Sequence, residues 1–161
     1  MIRNCVIKGV HKYKIRPPLN LNLLVEKEYD NIKDAQACLI WLPDPEDLTE
    51  DQLNSIYNPA KRLTLKDVAG LPVGHVPRGL AGALRQILDI PGCTVYCIAT
   101  GEPQNSFPPW PALKEEGGGR VVPCDFIVEV TVPQNVTKCQ RLLQKDLDRM
   151  DERDVIVIDI L

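Results

Sequence analysis

Leu71–Leu88, LPVGHVPRGLAGALRQIL, decides the fold. Its first half, Pro72-Val73-Gly74-His75-Val76, reads as a short strand with one polar side chain emerging from an apolar run. Its second half opens at Pro77, a residue favoured in the first turn of a helix. Leu80, Leu84, Ile87 and Leu88 then recur at the spacing of a buried helical stripe. Gly79, Ala81, Gly82 and Ala83 keep the helix thin, so a sheet can approach its backbone closely. His75 and Arg78 fall at the strand-to-helix junction. There, exposed N–H groups and the helix dipole already favour an anion, which makes the junction a candidate phosphate seat.

The chain has 161 residues, the size of one domain with one core, and 44% of them are hydrophobic, as in ordinary globular proteins. Fourteen prolines and ten glycines point to many turns and short strands. No apolar run approaches the roughly 18 residues of a transmembrane helix, and MIRNCVIKGV reads as a strand rather than a signal peptide. The formal charge of −3 argues against non-specific coating of nucleic acid, where phosphate contacts supply most of the affinity. It leaves room for a local basic patch. Of the six cysteines, no pair has zinc-knuckle spacing. Cys93 and Cys97, four residues apart in an apparent strand, stand about 13 Å from one another at ~3.3 Å per residue, too far for one metal. Buried free thiols in a reducing compartment are the expected state, and no metal or cofactor is expected. Asn135-Val136-Thr137 is a glycosylation sequon by pattern, and is read instead as a helix cap.

Along the chain, residues 2–16 carry Arg3, Lys8, Lys12, Lys14 and Arg16 with no acid among them, and begin as a strand that Pro17-Pro18 ends. Asn20 to Glu26 is a second strand, Glu28 to Asn31 a turn, and Ala37 to Leu42 a third strand. Residues 43–69 look like an insertion. They open with acidic Pro43-Asp44-Pro45-Glu46-Asp47, then a Thr49-x-x-Gln52 capping box and a short helix to about Tyr57 with Leu53 and Ile56 inward. The insertion has two readings: an ornament between adjacent strands, or an acidic wall that narrows the range of partners. After the central helix come a strand at Cys93–Thr100 and a proline-rich arm, Ser106 to Pro111. Its Trp110 is either a packed lid or an exposed contact. Gly117-Gly118-Gly119 is a joint, since no Gly-Lys-[Ser/Thr] follows to make a phosphate loop. Residues 121–132 form a strand with Val128, Val130 and Val132 on one face. A helix from Asn135 to about Arg149 turns Val136, Cys139, Leu143, Leu147 and Met150 inward, and Asp154–Leu161 is a last strand. The pattern predicts a single α+β domain over residues 1–161. It has a small barrel-like antiparallel sheet, a central helix, an inserted short helix, and a C-terminal helix plus strand.

Two motifs together resemble the HIRAN domain, a small β-barrel module that occurs alone or fused to SWI/SNF-type helicases. Val73-Gly74-His75-Val76-Pro77-Arg78-Gly79-Leu80-Ala81 is similar to the family's Val-Gly-His-[Val/Ile/Leu], basic residue and following helix. Asn31-Ile32-Lys33-Asp34-Ala35-Gln36-Ala37, with Cys38 to Trp41 after it, is similar to its Asn-Pro-x-Asp-x-Asn-Ala before a strand. The resemblance spans roughly residues 2–100, interrupted by 43–69, and residues from about 121 to 161 extend beyond it. It implies a barrel of the OB- or SH3-like kind and binding of the 3′ end of single-stranded DNA. By position it implies that Asp34 accepts the terminal hydroxyl, His75 and Arg78 hold phosphate, and Asn31 matches the family's first asparagine. Two departures stand out. Lys33 replaces the family's tyrosine before the aspartate, and His11-Lys12-Tyr13 replaces its Tyr-Tyr pair after the first strand. Each lost base–aromatic stack removes about 1–3 kcal/mol, so Lys12 and Lys33 trade stacking for charge. Tyr29 and Trp110 are the candidate replacement platforms.

The catalytic inventory is thin: two histidines, His11 and His75, and no nucleophile elbow, metal triad or P-loop. The expectation is therefore a non-catalytic module, inside the cell and in the nucleus. It would bind single-stranded DNA through His11, Lys12, Tyr13, Asn31, Lys33, Asp34, His75 and Arg78. The alternative is a protein-interaction or structural domain with an eroded DNA site. At residue level His75 could instead satisfy a core backbone group, Arg78 could be solvated, and Asp34 could bond the N–H groups of its own turn.

Overall fold

The computed structural model describes residues 1–105, 120–147 and 157–158. Strand β1 (Ile2–Ile7) stops well short of Pro17, because Gly9, at φ 68°, turns the chain into a one-turn helix α1 (Val10–Tyr13). Glycine takes that left-handed backbone without strain. Strands β2 (Leu23–Lys27) and β3 (Cys38–Trp41) follow as expected.

The insertion departs from its reading. The Thr49–Gln52 capping box forms, with the Gln52 N–H donating to Thr49 Oγ1 (3.2 Å) and the Thr49 N–H to Gln52 Oε1 (2.9 Å). Helix α2 (Glu50–Leu53) nevertheless ends there rather than at Tyr57. Ile56 and Tyr57, a β-branched and an aromatic residue, go into a hairpin of β4 (Ile56–Asn58) and β5 (Leu63–Thr64). Ile56 is consequently 74% exposed, not inward. Helix α3 (Leu65–Val68) returns the chain to the core through buried Leu65 and Val68.

Strand β6 (Pro72–His75) and helix α4 (Arg78–Leu88) form the predicted pair, with Pro77 at the helix cap position. Leu80, Ala81, Ala83, Leu84 and Ile87 are buried and Leu88 is half-buried. Strands β7 (Cys93–Ala99), β8 (Gln104–Asn105) and β9 (Arg120–Val130) follow, then a 3-10 turn, helix α5 (Val136–Leu147) and β10 (Val157–Ile158). On α5, Cys139 and Leu143 are buried and Val136 is half-buried. Asn135 lies in the 3-10 turn, where its side-chain amide donates to the Pro91 carbonyl (3.3 Å). Val128 and Val130 pack on the core, but Val132 has left the strand and is 38% exposed. The proline-rich arm, Trp110, the triple glycine, Met150 and most of the last strand lie outside the described residues.

The main sheet runs β10-β1-β9-β7-β2-β3-β6, every pair antiparallel, with β8 added on β9. Residues 120–130, beyond the sequence resemblance, thus supply a central strand. The path also curls back on itself. Just past β1, the Lys8 N–H donates to the His75 carbonyl (2.9 Å), and the His75 N–H donates to the Lys8 carbonyl (2.8 Å). This joins β1 to β6, so the sheet forms a barrel-like ring. Gly74 permits that closure: a Cβ there would stand 2.5 Å from Ile7 Cγ2 and 2.6 Å from the Lys8 carbonyl oxygen. Phe126, Leu23, Val25, Ile40 and Val95 fill the interior, and α4 covers it from β2, β3 and β7, backed by α5.

The cysteines among these elements are free thiols. Cys93 and Cys139 approach to 3.7 Å between sulfurs. Burial pushes the Cys38 and Cys139 thiols up to about 11, and Cys124 likewise upward, so they stay protonated near neutral pH. No helix among the described residues is long and apolar enough to cross a membrane.

Candidate functional site

Ring closure brings three segments together: Lys8–Tyr13 after β1, the turn between β2 and β3, and the junction from His75 to Arg78. The turn is built by its own side chains. Asn31 Oδ1 accepts the N–H groups of Lys33 (3.0 Å) and Asp34 (2.9 Å). Asp34 Oδ1 accepts the N–H of Gln36 (2.9 Å). Two nested Asx turns therefore explain the Asn-x-x-Asp spacing without reference to a ligand. The Glu28 N–H closes the turn on the Ala37 carbonyl (3.0 Å).

Between these segments lies a cleft of about 430 Å³. Seven of the eight residues expected from the sequence line it: His11, Lys12, Asn31, Lys33, Asp34, His75 and Arg78. Tyr13 does not. Its ring stands beside His75, 5.7 Å between centroids at 44°, with Lys12 Nζ 5.4 Å from its own centroid. Burial, and then the Glu28 charge, push the Tyr13 phenol upward.

His75 Nε2 lies 2.6 Å from Glu28 Oε2, with both side chains largely buried. Asn31 Nδ2 donates to the same oxygen (3.1 Å). Burial alone would push the Glu28 carboxyl up. The hydrogen bonds from Asn31 and His75, and the nearby charges of His75 and Lys12, outweigh it, and the net shift is downward. Asp34 keeps its second oxygen, Oδ2, 3.7 Å from Arg78 Nε, longer than a hydrogen bond. Arg78 is 59% exposed at the start of α4.

Glu28 and Arg85 escaped the sequence reading. Glu28 sits in a stretch legible only as a turn. Arg85 Nη1 donates to the carbonyls of Glu28 (3.2 Å) and Ala37 (3.0 Å), clamping both ends of the turn onto α4. Its guanidinium also lies 5.5 Å from the centroid of the Tyr29 ring. The available signal was a lone cation seven residues after Arg78, two turns along the same helix face. Tyr29 is 78% exposed and Ile32 fully so, placing two large apolar side chains on the turn at the cleft. The lining carries Lys8, Lys12, Lys33 and Arg78 against Glu28, Asp30 and Asp34, so cations and carboxylates are interleaved. Among the described residues no group of three or more His, Cys, Asp or Glu is placed to hold a metal ion.

No family model matches the sequence, and no curated protein matches it. Among solved structures, the crystal structure of the HIRAN domain of human HLTF superposes on 90% of this chain and 88% of that one, with a TM-score of 0.51 and 14% sequence identity. At that identity the likeness is one of backbone. The closed antiparallel ring, with its strand-to-helix unit at His75 and Arg78, is a HIRAN-type fold.

Proposed function

We propose that this chain is a non-catalytic module that binds single-stranded DNA at its 3′ end, in the cleft between the Asn31–Asp34 turn and the His75–Arg78 junction. The observation that carries this reading is convergence. Residues spread from His11 to Arg78 in sequence, picked out by their likeness to HIRAN motifs, line one concavity. Asp34 Oδ2, not used by the turn, accepts the terminal 3′-hydroxyl. Lys12, Lys33 and Arg78 take the last phosphates. The carboxylates repel a continuous backbone and tolerate an end, because an ionised Asp accepts from a hydroxyl but repels a phosphate. A nuclear location would follow from that role.

The alternative is a protein-interaction domain with an eroded DNA site. The Glu28–His75 contact favours it, since the histidine that would hold phosphate is already engaged by a carboxylate. Fluorescence anisotropy separates the two. Oligonucleotides ending in a 3′-hydroxyl should bind better than the same oligonucleotides ending in a 3′-phosphate, and Asp34→Ala should abolish the difference. Absence of binding to either at low salt selects the alternative.

A further inference from the structure

A second concavity, of about 730 Å³, shares no residue with the first. It lies on the outer face of the sheet. Leu24 on β2 pairs with Trp41 on β3 and with Tyr96 on β7, so the three side chains form one row across three strands. Glu26, two residues beyond Leu24, shares that face. The insertion supplies further lining, including Asp44 and Asp47. The lining thus holds three carboxylates and two aromatic rings, and no lysine, arginine or histidine. None of the three carboxylates makes an ion pair among the described residues. Trp41 Nε1 is shielded from water and has no hydrogen-bond partner there, so no polar contact of the fold holds the ring in place.

We infer that this cleft binds a basic peptide segment of a partner protein. Lysine or arginine side chains would lie against Trp41 and Tyr96 and pair with Glu26, Asp44 and Asp47. A cation over an aromatic face with a carboxylate beside it satisfies both its charge and its partly apolar body. The carboxylates come from two segments, β2 and the insertion, which suits an extended segment bearing more than one cation rather than one compact ion. The insertion then acts as a recognition wall, and it is where this surface gains most of its charge.

The test uses the full chain and a fluorescein-labelled Gly-Lys-Gly-Arg-Gly-Lys peptide at low salt, read by anisotropy. Binding should weaken at least fivefold in the double variant Asp44→Asn, Asp47→Asn, and similarly in Tyr96→Leu, with thermal melting confirming that each variant folds. The double variant Glu129→Gln, Asp146→Asn makes the same change in net charge elsewhere and should bind within twofold of the parent. No peptide binding by the parent overturns the inference. So does equal weakening by the Glu129/Asp146 control, which would mean general attraction to an acidic protein. Displacement by tetramethylammonium at the peptide's own concentration would also overturn it, in favour of a small organic cation.

Discussion

His75 Nε2 and Glu28 Oε2 meet at 2.6 Å, joining the strand-to-helix junction to the foot of the β2–β3 turn across 47 residues of sequence. Both side chains are largely screened from water, and Gly9 lies close to the other ring nitrogen, where a Cβ would stand 3.3 Å from His75 Nδ1. One contact therefore orients the histidine and anchors the turn that carries Asp34.

The pH dependence of stability should carry the mark of Glu28. Its carboxyl is lowered from the ordinary value of 4.5, so the folded state favours the ionised form. That contribution is fully present above about pH 4.5 and is lost as pH falls through the lowered folded value. Glu28→Gln should cost about 1–3 kcal/mol at neutral pH and flatten the acid limb of a melting-temperature profile. An unchanged acid limb would show that the contact contributes nothing to the folded state.

Gly74→Ala should destabilise the ring directly, because the new methyl meets Ile7 Cγ2 and the Lys8 carbonyl below normal contact distance. Overpacking of this kind costs about 1–3 kcal/mol. Urea denaturation gives the size. Faster hydrogen exchange at the Lys8 and His75 amides would place the damage at the closure point.

Asn31 and Asp34 separate by substitution. Asn31→Ala removes the acceptor of two backbone N–H groups and should cost about 1–2 kcal/mol in denaturation. Asp34→Asn keeps an Oδ1 acceptor for the Gln36 N–H and should change stability by less than about 0.5 kcal/mol. The same Asp34→Asn should reduce the preference for a 3′-hydroxyl in anisotropy. A large loss of stability would assign Asp34 to the turn alone.

Salt dependence reports how many cations meet phosphate. If Lys12, Lys33 and Arg78 each release one counterion, the slope of log K against log salt for single-stranded DNA is about −2, at roughly −0.7 per contact. Arg78→Ala should make that slope shallower by about 0.7. A slope near zero in the parent would remove phosphate from the interface.

Local spacing made several features readable: the β6–α4 pair, the Thr49–Gln52 box and the Asn31–Asp34 turn all depend on residues two to four apart. The Ile56 error has a local cause too. A helical period continued from Leu53 through Tyr57 overrode the strand preference of Ile56-Tyr57, although Asn58-Pro59 reads as the stop. The Glu28–His75 pair and the Arg85 clamp were not readable, because each needs the ring to be closed first. No periodicity encodes which strand will meet Lys8. The motifs named most of the residues that converge, but not the carboxylate and guanidinium that set them in place.

The closure at Lys8 and His75 makes one histidine serve two ends. Its backbone fastens the seam of the ring, while its imidazole faces the cleft. A molecule resting on that imidazole would sit astride the seam, so occupancy and the fastening of the ring would be thermodynamically linked. A chain loosened at this stitch would lose grip and shape together.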